Sequence, residues 1–498
     1  MSKLTKEMED ILCSKEKHIV IQAYAGSGKS STAVEYIKRN PTEKIIYLVF
    51  NKSMQVEFTD RLKGIPNNCN ITTIHSLAYR WYLSKGFPKK SLRNINIVDV
   101  KNILKSRLEY DRLAKVLFYF NMYLCSDLKE IGALPVLYEE DRVELKYVKK
   151  LWEFFITKSD YMSHNIYLKM YQLAKISLDC DTIISDELND ANATMISLLT
   201  NNMDKKIIGL GDSYQSILAF SHAVDGIKIL RDAYGFKEYT LTKSFRVSER
   251  VAEISSKYLS YMRDEKIKFN GLGNTVVGRV DPLKATKERS LSILCRTKTG
   301  GLKEVVDILD KDPSKRIYYV GGLDGFGMQE IERLLAYHGN IYLGGERFHI
   351  NELRQLLKKG VEDPEISRIC SVYSFIEKNR DMLDILKSSE VKKKEHADII
   401  LMTSHVSKGL TLGDTLLARD FPPIEDTRKI IEVSKEGHEY VYGLAKSEAH
   451  LLYVALTRST GRLDMNGALR RNELIKEGDK TESATEVGAF VVGKLKKE

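Results

Sequence analysis

The chain has little cysteine, and what it has is scattered. Six cysteines in 498 residues (Cys13, Cys69, Cys125, Cys180, Cys295 and Cys370) stand too far apart for a zinc ribbon or a small disulfide scaffold. They read as buried thiols of a reducing compartment. Long apolar runs are missing too: none approaches the roughly 18 residues needed to cross a bilayer, and the charged stretch 1–17 has no signal core. These absences predict a soluble intracellular protein of the cytoplasm, with no membrane partner. There is no internal repeat and no low-complexity segment. A net charge of +10 is a modest excess at this length, compatible with a polyanionic partner without requiring one. The length exceeds what one core supports and predicts about three or four domains.

What is present begins with Ala23-Tyr24-Ala25-Gly26-Ser27-Gly28-Lys29-Ser30, between the apolar run Ile19–Ile21 and a helically spaced segment from Thr32 to Lys38. A strand feeding a glycine-rich turn that opens a helix aims several backbone N–H groups at one spot, where a phosphate chain can be held. In this Walker A pattern Ala25, Gly26, Ser27, Gly28, Lys29, Ser30 and Ser31 are the candidate nucleotide contacts. Lys29 reaches the terminal phosphates and the Ser30 hydroxyl holds Mg2+. A second strand, Lys44–Phe50, is apolar throughout, as a strand covered on both faces is, and ends in the polar Asn51-Lys52-Ser53. The run Ile71–Ser76 is also strand-like, and for its His75 a structural role and a ligand-facing one both stay open.

From residue 77 onward the texture is helical. Tyr79, Arg80, Trp81, Tyr82, Lys85, Lys89, Lys90 and Arg93 mix rings with positive charge, which suits base stacking and equally suits an amphipathic helix with a solvated basic face. The sheet pattern resumes at 181–190, where Asp181-Thr182-Ile183-Ile184-Ser185 runs into Asp186 and Glu187. Two adjacent carboxylates at a strand end match a Walker B strand, with Asp186 for the metal and Glu187 for the attacking water. Ile207–Asp212 is another strand ending in an acid; Gln215, three residues on, can sense the γ-phosphate or orient water, and Phe220 offers a flat face. The second half repeats the style. Strand-like runs at 291–295, 317–320 and 398–402, together with the apolar stretches ending in Arg246 and Arg458, predict a second α/β sheet.

Taken in order, AYAGSGKS (23–30), FNKS (50–53), TTIHSLA (72–78), DELND (186–190), GDSYQSILAF (211–220), LTKSFR (241–246), TSHVSKGL (403–410) and LLYVALTR (451–458) resemble the superfamily 1 helicases of the UvrD/Rep branch. The second half is most similar to the F-box DNA helicases and phage relatives, without an F-box. The resemblance implies an α/β fold of two RecA-like P-loop NTPase domains, with a helical insertion in the first, a short insertion in the second, and ATP with Mg2+ between them. It assigns Lys29, Asp186, Glu187, Gln215, Arg246 and Arg458 to catalysis, the two arginines as fingers on the γ-phosphate. It puts Phe245 and Gly409 at the nucleotide, and Asn51, His75, Phe220, Thr403 and His405 along single-stranded DNA.

The order further predicts a first motor domain from 1–77 and 155–240 enclosing an insertion at 78–154. A second motor domain at 241–320 and 392–465 encloses a short insertion at 321–391, and a charged tail occupies 466–498. The chain departs from the family pattern at Met8, where a glutamine reads adenine in relatives, and at Thr411, Asn189, Ser221 and His222. The function this implies is an ATP-dependent DNA helicase or translocase, a monomeric motor moving 3′ to 5′ on single strands and at single-strand/duplex junctions. It would work in replication, recombination or repair and meet proteins of those processes. An RNA helicase, or a non-unwinding ATP-switch subunit of a larger assembly, stays open beside it.

Overall fold

A computed structural model describes residues 4–62, 68–105, 108–343, 346–358, 364–378 and 381–466. It divides into two compact units. The first comprises Met1–Ala23, Gly28–Leu241 and Tyr342–Asp363; the second comprises Tyr24–Ser27, Thr242–Ile341 and the chain from Pro364 onward. Of the predicted tail, residues 467–498 lie outside the described residues.

The first unit is built on six parallel strands: β1 (His18–Ala23), β2 (Ile45–Val49), β3 (Cys69–Thr73), β4 (Thr182–Ser185), β5 (Lys206–Gly211) and β6 (Lys237–Leu241). Their order across the sheet is β3-β2-β4-β5-β1-β6. Alternate residues serve opposite faces, as the two-residue period of a strand requires. Val20, Ile46, Leu48, Ile183 and Ile207 join one core, while Ile19, Ile21, Ile45, Tyr47, Val49, Ile184 and Ile208 join the other. A strand buried on both sides therefore reads as an uninterrupted apolar run. Because β4, β5 and β1 are neighbours, the turns at their carboxyl ends converge on one edge, where open α/β sheets place their ligands.

The first of these cores is filled by the helices between β3 and β4, among them Tyr110–Cys125, Leu145–Thr157 and His164–Leu173. The ring-rich stretch after residue 77 contributes here. Tyr82 is buried and stacks on Phe87, and Tyr79 and Trp81 pack on Tyr167 and Tyr171. These rings belong to the core of the first unit or pack against it. Residues 342–343 and 346–358, within the predicted short insertion, also join this unit: Phe348 meets Tyr110 edge-on at 5.7 Å, and Leu356 packs against the same core.

The second unit has its own six-stranded parallel sheet: β7 (Val276–Val277), β8 (Leu291–Cys295), β9 (Ile317–Tyr319), β10 (Ile399–Thr403), β11 (Thr415–Leu417) and β12 (Arg462–Asp464), in the order β7-β12-β11-β8-β10-β9. Two apolar runs with strand-like composition turn out to end in helix or to be helix. Leu451–Leu456 forms the last turns of the helix Glu439–Leu456, and β3 stops at Thr73, whose side chain accepts the Ser76 N–H and opens the helix Ile74–Ser84. His75 is thus helical.

Candidate active site

The turn after β1 is shaped by two glycines in the left-handed region, Gly26 at φ 73° and Gly28 at φ 90°. A side chain is disfavoured there, and alternating handedness points successive N–H groups into one concavity. Gly28 leads into the helix Lys29–Arg39, whose amino terminus carries no side-chain cap. The Ser27 hydroxyl oxygen is buried and has no hydrogen-bond partner among the described residues. An uncapped helix start beside an orphaned hydroxyl is a fit for phosphate oxygens, because buried polar groups are otherwise paired.

Lys29 extends from the first turn of that helix to the end of β4. Its ammonium is 2.9 Å from Asp186 Oδ1 and also donates to Glu187 Oε1. Burial works against its charge, but the two carboxylates outweigh burial and lift its pKa above the usual lysine value. Asp186 is held in turn by the Tyr47 hydroxyl from the middle of β2, at 2.7 Å from Oδ2. Burial and the Asp186 charge keep that phenol protonated, with its pKa well above the ordinary range. Glu187 takes φ 53°, a left-handed conformation that costs a residue with a Cβ about 1–2 kcal/mol. The twist turns the chain sharply into the short Leu188–Asp190 turn so that consecutive carboxylates both reach Lys29.

Gln215 sits on the turn Ser213–Gln215 after β5 and donates its side-chain amide to Asp212 Oδ2 at 2.7 Å. Asp212 also accepts from Gln22 Nε2 at 2.9 Å. Burial raises its pKa against these donors. Among the described residues no group of three or more His, Cys, Asp or Glu side chains could hold a metal alone. A small hard cation that keeps one or two protein ligands and takes the rest from phosphates fits what is present, Asp186 and Ser30.

The remaining candidates are dispersed. Asn51 is exposed and caps the helix Lys52–Arg61 by accepting the Met54 N–H. His75 is half-buried, edge-on to His164 and Tyr167, with Nδ1 lacking a hydrogen-bond partner among the described residues. Phe220 is 51% exposed and Phe245 43%, unusual for phenylalanine and compatible with stacking on a ligand. Within the second unit, the Phe245 N–H donates to Gly26 O at 2.9 Å, Ser244 Oγ donates to Ala25 O at 2.6 Å, and the Tyr453 hydroxyl accepts the Ala25 N–H at 3.2 Å. Arg246 lies beside Gly26 and reaches Thr457 O at 3.4 Å. Arg458 is 1% exposed and donates to Val454 O at 3.0 Å and Leu410 O at 3.5 Å. Thr403 caps the short helix Ser404–Ser407, His405 within that helix is half-buried, and Gly409 has φ 84°. Met8 is a core residue of the helix Lys6–Leu12.

Sequence reasoning missed Tyr47, Gln22 and Asp212 as supports. The available signals were a hydroxyl in the run Lys44–Phe50, a glutamine at the end of the run Ile19–Ile21, and the acid that ends Ile207–Asp212.

A family model described as AAA domain matches residues 9–221, the stretch that holds Lys29, Asp186, Glu187 and Gln215. The chain is similar to F-box DNA helicase 1 of Gallus gallus, at 25% identity over 515 residues, 94% of this chain and 49% of the relative. It is likewise similar to F-box DNA helicase protein 1 of Schizosaccharomyces pombe, at 24% over 503 residues, 91% of this chain and 56% of the relative. The chain thus spans about half the length of the curated relatives it matches. A P-loop, an acid pair and two parallel sheets thus stand in a chain whose similarity over most of its length is to proteins named DNA helicases.

Proposed function

We propose that the protein is an ATP-hydrolysing DNA helicase or translocase that moves 3′ to 5′ on single-stranded DNA. The observation that carries this reading is the Lys29 ammonium between Asp186 and Glu187, next to an uncapped helix start. When ATP is bound, the phosphates replace the carboxylates as partners of Lys29, and the backbone N–H groups of 26–31 add donors around them. Ser30 and Asp186 would hold Mg2+, whose charge offsets that of the phosphates. Glu187, released from Lys29, takes the proton of a water whose oxygen attacks the γ-phosphorus, while the bond to the bridging oxygen breaks and ADP keeps the electron pair. Gln215, aimed by Asp212, orients that water. By motif position Arg246 and Arg458 are the proposed fingers, and Asn51, Phe220, Thr403 and His405 the proposed strand contacts. The names of the relatives support DNA as the track, with replication, recombination or repair as the setting.

Steady-state ATP turnover with and without single-stranded DNA tests this directly. Turnover stimulated by DNA over matched RNA is expected, and duplexes with a single 3′ or 5′ tail read the direction. A rate indifferent to DNA would sink the motor reading, leaving an ATP switch.

A further inference from the structure

Directly after the acid pair, the turn Leu188–Asp190 lies flush on β5, and two glycines make the room. A Cβ on Gly209 would come within 2.3 Å of Leu188 Cδ1, and one on Gly211 within 2.8 Å of Asn189 Oδ1. Being two residues apart, they open the same face of the strand. Asn189, fully buried in this trough, is used at both ends. Its Oδ1 accepts the Asp212 N–H at 3.0 Å, and its Nδ2 donates to Gln215 O at 3.3 Å and to Asp190 Oδ1 at 3.4 Å. Asp190 N–H closes back on Glu187 O at 2.9 Å. A continuous chain of hydrogen bonds therefore joins the residue that would take the proton to both ends of the turn that carries Gln215.

We propose that Asn189 is a positioning residue for hydrolysis: it clamps the Asp212–Gln215 turn to the Glu187 turn, so the base and the water-orienting amide keep one spacing. The buried amide suits this work because it offers an acceptor and donors at fixed separation without adding charge beside two acids. The inference rests on the hydrolytic reading.

The test pairs Asn189→Ala with Ile227→Ala. Ile227 is buried on the same trough, its Cδ1 3.1 Å from a Cβ placed on Gly211, and it makes no side-chain hydrogen bond. Turnover number, affinity for a fluorescent ATP analogue and melting temperature are measured for both in the full chain with DNA. Asn189→Ala is expected to lower kcat about tenfold or more, as misplaced reacting groups do, with analogue affinity unchanged. Ile227→Ala is expected to melt earlier while keeping kcat per folded molecule. Unchanged kcat in Asn189→Ala, or an equal loss in both variants, overturns the inference while leaving hydrolysis standing. A wild-type protein that never turns over ATP removes both.

Discussion

Lys29 is the residue whose removal separates ligand binding from folding. It contacts two carboxylates rather than the core, so Lys29→Ala should leave the fold intact and cut ATP turnover by about a hundred- to a thousandfold. The variant also leaves Asp186 and Glu187 facing each other without their cation. Circular dichroism and a coupled ATPase assay read the two effects. Loss of secondary structure would mean the loop is structural.

Two histidines predict a pH effect of known sign. Burial pushes His75 down to about 4, helped by the charge of His164, and burial alone brings His222 to about 4, both from an ordinary value of 6.5. Above pH 6.5 both rings are neutral folded or unfolded, and their contribution is fully present. As pH falls from there toward 4, the unfolded chain gains protons that the folded chain refuses, so stability is lost, by about 1.4 kcal/mol per pH unit for each ring at most. His75→Asn with His222→Asn should flatten denaturant midpoints between pH 7 and 5 relative to wild type. Asparagine also tolerates the φ of 59° at position 222.

Elements decide how much of this was legible in the chain. The strands β1, β2, β4, β5, β8, β9 and β10 could be read directly, because strands covered on both faces carry apolar residues at consecutive positions through their centres. The same rule hides buried helices. Leu451–Leu456 is as apolar as a central strand and differs only in belonging to an 18-residue helix, and periodicity cannot separate the two in a short run. Lys29, Asp186 and Glu187 were legible because each follows a strand end with its own local signature. Tyr47 and Asn189 were not, since their partners lie 139 and 23–26 positions away and only the strand order brings them near. Likewise nothing local announces that Phe348 packs on Tyr110. Spacing within β5 makes a testable point at this scale. Gly209→Ala must push Leu188 aside or bend the strand, and overpacking of that kind costs about 1–3 kcal/mol. The same change at Gly278, with open space around it, should be neutral in a melting experiment.

For the whole molecule the deciding quantity is how the chain's positive excess is used. A net charge of +10 spread evenly would give weak, diffuse attraction to any polyanion, whereas a track for a single strand concentrates lysines and arginines along one path. Counterion release distinguishes these: the logarithm of single-strand affinity should fall linearly with that of salt, with a slope of about −0.7 per phosphate neutralised. Stacking of a base on an exposed ring is nearly independent of salt. Phe220→Ala should therefore shift the whole line down, by about 1–3 kcal/mol if a base rests on that half-exposed ring, and leave its slope unchanged. A changed slope with an unchanged intercept would mean that Phe220 shapes the charged path instead of touching a base. If wild type and variant give the same line, Phe220 has no part in the track, and the strand must be sought along other residues.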